Sequence, residues 1–224
     1  MASRRTTFPW RRHASGGFRL ALVLAAVVGS SAPAPAQPAR PGTAAKAAGA
    51  PVQKGPDLAA RIAQCKGCHG EDGTSPNPAI PTLGGQPKLF VMYQLFFFRE
   101  GRRNSPEMNE AARALTDREL DALSDWVASL PRPAPDAGAP EPARMARGEA
   151  LAAARHCGFC HNPDYSGREQ MPRLAGQREA YMLKAFREYQ QGTRVGTQAA
   201  MAEAVRGLSD ADLADLAHYL SRLP

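Results

Sequence analysis

The sequence contains two copies of one segment, and each copy carries the same pattern of two cysteines followed by a histidine. Cys65-Lys-Gly-Cys68-His69 aligns with Cys157-Gly-Phe-Cys160-His161 at an offset of 92 residues. Four further matches keep the same order at offsets of 91 to 93: Pro81-Thr-Leu-Gly-Gly-Gln86 with Pro172-Arg-Leu-Ala-Gly-Gln177, Gly101-Arg-Arg103 with Gly192-Thr-Arg194, Met108 with Met201, and Leu115-Thr-Asp117 with Leu208-Ser-Asp210. This internal repeat predicts two similar small domains.

The segments outside the repeat predict an exported protein with two linkers. Basic residues precede an apolar run over 20–28, and Ala34-Pro-Ala36 is typical of a signal-peptide cleavage site. The run is shorter than the ~20 residues that span a bilayer, although an uncleaved N-terminal anchor stays open. We therefore expect a signal peptide at 1–36, a flexible tether at 37–54, a first domain at 55–130, a Pro-rich linker at 131–143 and a second domain at 144–224.

The charge distribution disfavours a nucleic-acid partner. The chain has 28 Lys and Arg against 21 Asp and Glu, a formal charge of +7. Five of these bases, all arginines, fall in the first 36 residues, where there is no acid. The remaining chain has 23 bases and 21 acids, so it lacks the basic surface that nucleic-acid binding requires.

The secondary structure is expected to be helical throughout. Apolar positions recur with helical spacing over 87–100 and 178–191, and each run ends at a glycine. Short helices are expected at 57–64 and 144–156, before each cysteine pair. Thr116 with Glu119, and Ser209 with Asp212, match the capping box that opens a helix. No strand pattern is evident, so the predicted fold class is all-α.

The repeated C-x-x-C-H motif is the attachment signal for c-type haem. Two thiols on one helical turn can each form a thioether with the haem, while the adjacent histidine binds the iron. A redox dithiol, a zinc site and a structural disulfide also use paired cysteines. None of these requires a histidine directly after both pairs. We therefore expect two covalently bound haem c groups, attached through Cys65 and Cys68 and through Cys157 and Cys160, with His69 and His161 as iron ligands.

Further residues are candidates for completing each site. Met108 and Met201 each follow a Gly-containing loop, and methionine is a common sixth ligand of haem iron. Each ligating histidine needs an acceptor for its other ring nitrogen, and the carbonyl groups of Pro81 and Pro172 are the candidates. Arg103 and Arg194 could pair with haem propionates or lie in solvent. His218 has no counterpart in the repeat, so we expect it at the surface.

One helix of the first unit is unusually apolar. Tyr93, Phe96 and Phe97 stand where the second unit has Lys184, Arg187 and Glu188. A helix that is apolar on nearly every face must be covered. The sequence leaves open whether the cover is the second unit or a membrane partner.

From residue 57 to 224 the chain resembles the cytochrome c4 family of dihaem c-type cytochromes. The resemblance rests on both C-x-x-C-H motifs, the P-x-L-x-G-Q and G-x-R segments, and the single methionine before L-[ST]-D. It implies two tandem class I cytochrome c domains joined by the Pro-rich linker. It also implies an electron carrier, not an enzyme, in the bacterial periplasm.

The resemblance implies redox partners, with electrons passing toward a membrane-bound terminal oxidase and with a peripheral attachment to the membrane in some members. Two alternatives stay open. The chain could be the haem subunit of a dehydrogenase complex, or a dihaem oxidoreductase that acts on a small sulfur species or peroxide. The sequence does not indicate an oligomeric state.

Overall fold

The computed structural model describes residues 57–194 and 199–224, and these form nine helices. The N-terminal half comprises α1 (Leu58–His69), α2 (Lys88–Arg99), α3 (Pro106–Ala112) and α4 (Asp117–Ser129). The C-terminal half comprises α5 (Pro142–Ala154), α6 (Cys157–His161), α7 (Glu179–Gln190), α8 (Ala199–Val205) and α9 (Asp210–Ser221). Within the described ranges there is no strand, only an isolated bridge between Arg168 and Met171. The expected signal peptide and tether lie outside the described residues.

Each half is built around the packing of its long helices, and the packing repeats. In the N-terminal half α2 packs on α4 and α3, and α1 packs on α4. In the C-terminal half α7 packs on α9 and α8, and α5 packs on α9. The correspondence of α1, α2, α3 and α4 with α5, α7, α8 and α9 follows the sequence repeat. Two hydrophobic clusters form the cores: Phe98, Ala112, Leu115, Leu120 and Leu123 in one half, and a larger group centred on Leu213, Leu216 and Leu220 in the other.

Helix ends follow the local sequence. Thr116 and Glu119 form the expected capping box at the start of α4, and Ser209 and Asp212 form its equivalent at α9. In each box the side chain of one residue accepts a hydrogen bond from the backbone N–H of the other. Gly101, just beyond α2, has φ of 63°, a left-handed conformation that glycine adopts without strain.

The helices around the cysteine motifs differ from expectation. The helix expected at 57–64 continues through the first motif to His69, whereas α5 ends at Ala154 and a new short helix carries the second motif. The break lies at His156, which has a left-handed φ of 53°. Both candidate methionines lie on short helices, α3 and α8, each of which precedes the last helix of its half.

The Pro-rich connector packs against the C-terminal half. The backbone N–H of Asp136 donates to the carbonyl of Ser221, and its carboxylate accepts from Arg178 (2.6 Å) and from the N–H of Glu179 (3.0 Å). The segment before α5 is therefore held in place by its own side-chain contacts.

The prediction that His218 lies at the surface is wrong. His218 is 1% exposed, not a surface residue. Its Nε2 accepts a hydrogen bond from the N–H of Glu141, and its Nδ1 lies 3.1 Å from a carboxylate oxygen of Glu179. It is buried because α9 packs on both α5 and α7.

The apolar face of α2 is partly covered. Phe97 and Phe98 are each 6% exposed, whereas Tyr93 is 40% exposed. Phe97 contacts the rings of Tyr93 and Phe96. Among the described residues, no helix has the length and apolar character needed to cross a membrane.

Candidate functional site

Both motif histidines are buried and held in one orientation. His69 Nδ1 lies 2.8 Å from the carbonyl oxygen of Pro81, and His161 Nδ1 lies 2.8 Å from that of Pro172. A carbonyl oxygen only accepts, so each Nδ1 carries the proton and each Nε2 keeps a free lone pair. Burial lowers the pKa of both imidazoles, and the carbonyl contacts oppose it. The neutral ring that results is the form that binds a metal.

The four cysteines form no disulfide, and their setting is unlike that of a redox dithiol. Burial raises the pKa of the Cys65 and Cys157 thiols above the usual value. Reactive dithiols depend on a lowered pKa, which supplies the thiolate. The arrangement therefore disfavours thioredoxin-like chemistry and leaves the thiols for covalent attachment.

A large apolar cavity opens at both histidines. Its volume is about 640 Å³, within the range of pockets that hold organic cofactors. His69 and His161 both line it, as do Cys65 and Cys68 of the first motif. Its apolar wall includes Leu95, Phe98, Leu123, Val127 and Phe186.

Met108 and Met201 line the same cavity. Each is partly buried against the core of its own half, Met108 beside the cluster that includes Phe98 and Met201 beside the cluster of α9. The short helices α3 and α8 thus place a methionine at the wall of the cavity that both histidines line.

Arg103 and Arg194 meet at the boundary between the halves. Arg103 Nη2 donates to the hydroxyl of Tyr181 at 3.0 Å, and Arg194 Nη2 donates to it at 3.3 Å. Burial alone would raise the pKa of Tyr181, but the two guanidinium charges outweigh it and lower the pKa to about 7. All three residues line the cavity, as does Glu188, which forms an ion pair with Arg194 at 3.4 Å.

Two further polar side chains face the cavity without a partner. Thr82 Oγ1 and the Nε and Nη2 atoms of Arg173 are buried and find no hydrogen-bond partner among the described residues. Arg173 is 2% exposed, and its burial lowers the pKa of the guanidinium. A buried unpaired cation is costly, so this position calls for an anionic group.

These features fit a haem c group in each half. The thiols suit thioether attachment, Nε2 of each histidine is free for iron, and the apolar cavity suits a porphyrin. The unpaired Arg173 and Thr82 atoms, together with Arg103 and Arg194, suit the propionate carboxylates. A bound haem supplies an iron centre that takes up and releases one electron.

Two residues of this site, Arg173 and Tyr181, were not predicted from the sequence. Arg173 occupies the first variable position of the P-x-L-x-G-Q segment, and the other copy has Thr82 at that position. That difference between otherwise matching copies was the available signal. Tyr181 carried no signal, because it corresponds to Phe90 and its partners come from both halves.

Comparison with known proteins gives a consistent result. The cytochrome c family model matches residues 145–224. Cytochrome c4 from Pseudomonas aeruginosa is 31% identical over 175 residues, which cover 73% of this chain and 86% of that protein. The thiosulfate dehydrogenase electron acceptor from Thiomonas intermedia is 31% identical over 173 residues, covering 72% and 79%. Reduced recombinant cytochrome c4 from Pseudomonas stutzeri superposes with a TM-score of 0.67 at 28% identity, covering 75% of this chain and 99% of that structure.

The comparisons agree with the site built from the residues. The chain has the two cytochrome c domains of these relatives and two haem c attachment motifs, and its function is electron transfer. With 31% identity over most of a relative's length, the chain belongs to the cytochrome c4 family of dihaem c-type cytochromes.

Proposed function

We propose that the protein is a periplasmic electron carrier in which residues 55–130 and 144–224 each hold one haem with histidine and methionine as axial ligands. The observation that carries the proposal is the shared cavity. His69 and Met108 line it from one half, and His161 and Met201 from the other.

The described side chains would serve electron transfer by keeping the iron surroundings constant. Each histidine ring is fixed by its Pro carbonyl and shielded from water, since His69 is 6% and His161 3% exposed. Methionine ligation favours the reduced state and leaves no open position for a substrate. The chain thereby holds the same ligand set in both oxidation states.

Replacement of each methionine tests the ligation. In the purified holoprotein, Met108→Ala and Met201→Ala should each remove about half of the far-red absorption band of ferric methionine–iron ligation. Each variant should also lower the reduction potential of one haem, because the methionine sulfur that favours the ferrous state is gone. Met171→Leu is the matched control, because Met171 has no counterpart in the repeat, and it should keep the full band. A band retained in full by either alanine variant would refute that ligand.

Carbon monoxide separates a carrier from an enzyme. With both irons six-coordinate, the reduced protein should bind carbon monoxide weakly. Tight binding of one equivalent would show an open iron and would favour the dihaem oxidoreductase.

Two kinds of redox partner are candidates. A terminal oxidase is the first candidate acceptor, as the family resemblance implies. A second candidate role, as the acceptor of a dehydrogenase, is supported by the relative from Thiomonas intermedia that is described as a thiosulfate dehydrogenase electron acceptor. The two roles are compatible, since a carrier needs both a donor and an acceptor.

Stopped-flow mixing distinguishes the partners. The oxidised holoprotein is mixed with a purified thiosulfate dehydrogenase and thiosulfate, and the reduced holoprotein with oxidase-containing membranes and oxygen. Rapid reduction in the first experiment supports the dehydrogenase role, and rapid oxidation in the second supports the oxidase role. If both reactions are no faster than with an unrelated cytochrome, neither partner is correct.

The proposed location rests on the predicted export signal. Cell fractionation should place the holoprotein in the periplasm, and mass spectrometry should show cleavage after Ala36. A mature chain that keeps its first 36 residues, found in the membrane fraction, would instead support the uncleaved anchor.

A further inference from the structure

Two buried glutamines join the halves in a crossed pair of contacts. The side-chain Oε1 of Gln177 accepts from the backbone N–H of Thr82, and its Nε2 donates to the carbonyl of Thr82, both at 2.8 Å. In the other direction, Gln86 Oε1 accepts from the N–H of Arg173 at 3.1 Å, and Gln86 Nε2 donates to the carbonyl of Arg173 at 3.0 Å. Each glutamine is 5% exposed.

These contacts fall on the peptide groups that hold the haem-ligating histidines. The N–H of Thr82 and the carbonyl of Pro81 belong to one peptide group, and that carbonyl accepts from His69 Nδ1. A continuous chain of hydrogen bonds therefore runs from Gln177, through this peptide, to His69. The same chain runs from Gln86, through the peptide of Pro172 and Arg173, to His161.

Hydrogen bonds in series polarise one another. An acceptor at the peptide N–H polarises the peptide group and makes its carbonyl oxygen more negative. The hydrogen bond that this carbonyl accepts is thereby strengthened by roughly 10–30%. A stronger carbonyl acceptor pulls harder on the Nδ1 proton and makes the imidazole a better donor to iron. A better donor stabilises the ferric state, which lowers the reduction potential.

We propose that Gln86 and Gln177 are positioning residues that set the basicity of the axial histidine in the opposite half, so that each haem potential depends on a side chain of the other domain. The inference rests on the proposed electron-carrier function and adds a crossed control of the two potentials. If these contacts only held the halves together, their loss would shift the reduction potentials of both haems alike.

The test is a redox titration of the full-length holoprotein, with the haem-methyl resonances of each half followed separately by NMR. Gln177→Leu should raise the potential of the haem bound by His69. We expect about a threefold change in its reduction equilibrium, which is about 28 mV at 59 mV per tenfold for one electron. Gln86→Leu should raise the potential of the haem bound by His161, and each variant should leave the other haem nearly unchanged.

A matched control tests for general loosening. Gln190 Nε2 also donates to two backbone carbonyls, those of Val205 and Leu208, but entirely within the C-terminal half. Gln190→Leu should leave the potential of the haem bound by His69, in the opposite half, unchanged. Equal shifts of both haems in Gln177→Leu, a shift of the haem in the glutamine's own half, or no shift would overturn the proposal.

A second variant covers the case in which the leucine variants fail to assemble. Gln177→Glu loses the donor to the carbonyl of Thr82 but keeps an acceptor at the N–H of Thr82 and makes it more negative, so the potential of the haem at His69 should fall. A rise in that potential would contradict the mechanism. Haem content, measured beforehand on each variant, keeps this outcome separate from failure of the proposed function, which would appear in the wild-type protein as the absence of two reversible one-electron steps.

Discussion

Gly148 lies where α5 crosses α9, and replacing it by alanine should force these helices apart. A methyl group at this position would fall inside van der Waals distance of the carbonyl oxygen of Asp215 and of Tyr219 Cβ, and 3.1 Å from the carbonyl carbon of Asp215. Unstrained carbon contacts are about 3.5–4.0 Å. The helices must therefore separate by on the order of 1 Å.

The cost can be worked out from this geometry. Overpacking of a well-packed interface costs about 1–3 kcal/mol, and the upper end applies because two of the three close atoms are backbone. Alanine gains about 1 kcal/mol over glycine in helix propensity. The net loss in free energy of unfolding is about 2 kcal/mol, which corresponds to a fall in Tm of about 8–16 °C for a domain of about 80 residues.

Thermal unfolding of the haem-loaded protein, followed by circular dichroism, measures this change. Gly67→Ala is the matched control, because Gly67 lies within α1 and a Cβ there has no protein atom within 4 Å. Its counterpart Phe159 is 81% exposed, so the position faces solvent. The control should keep or raise Tm. If Gly148→Ala also kept or raised Tm, the close packing of α5 on α9 would be refuted.

Three further changes have defined outcomes. Asp215 is 7% exposed, and hydrogen bonds from Arg147 hold the pKa of its carboxyl below the unfolded value. The carboxylate therefore stabilises the fold above about pH 4, and this stabilisation is lost as the pH falls through the folded pKa. Asp215→Asn should lower the free energy of unfolding by about 1.5–3 kcal/mol at pH 7 in urea titrations, and the gap between variant and wild type should narrow in acid. Thr116→Ala removes half of the capping box with Glu119 and should cost about 1 kcal/mol in the same titrations. Arg173→Thr removes a buried positive charge, so the haem bound by His161 should be harder to reduce in a spectroelectrochemical titration, and an unchanged or higher potential would contradict the assignment.

Features that depend on neighbouring residues were predicted from the sequence. The capping boxes at Thr116 and Ser209 need only a partner three residues away, and both are confirmed. The hydrogen bond from His69 to Pro81 spans only 12 residues, within one repeat. Since both copies keep these short spacings, the repeat itself indicated where to look.

Features that depend on distant packing were not predictable. His218 is buried with a partner 77 residues away, and nothing near it in the sequence marks it as a core residue. Gln86 and Gln177 served as landmarks of the repeat, which suggested a shared local role. Their partners instead lie 87 and 95 residues away, in the other copy. An internal repeat predicts what each unit contains but does not predict which contacts are exchanged between units.

The crossed contacts are symmetric in the backbone and asymmetric in the side chains. The backbones of Thr82 and Arg173 make the same pair of hydrogen bonds with a glutamine, each donating through its N–H and accepting at its carbonyl. Yet one residue has a neutral hydroxyl and the other a buried cation. Equal backbone geometry gives both histidines the same orientation, so a difference between the two potentials must come from residues that the copies do not share. A positive charge near the iron favours the ferrous state. We therefore expect the C-terminal haem to have the higher potential and to be reduced first, so that electrons entering at the N-terminal half pass to the C-terminal half.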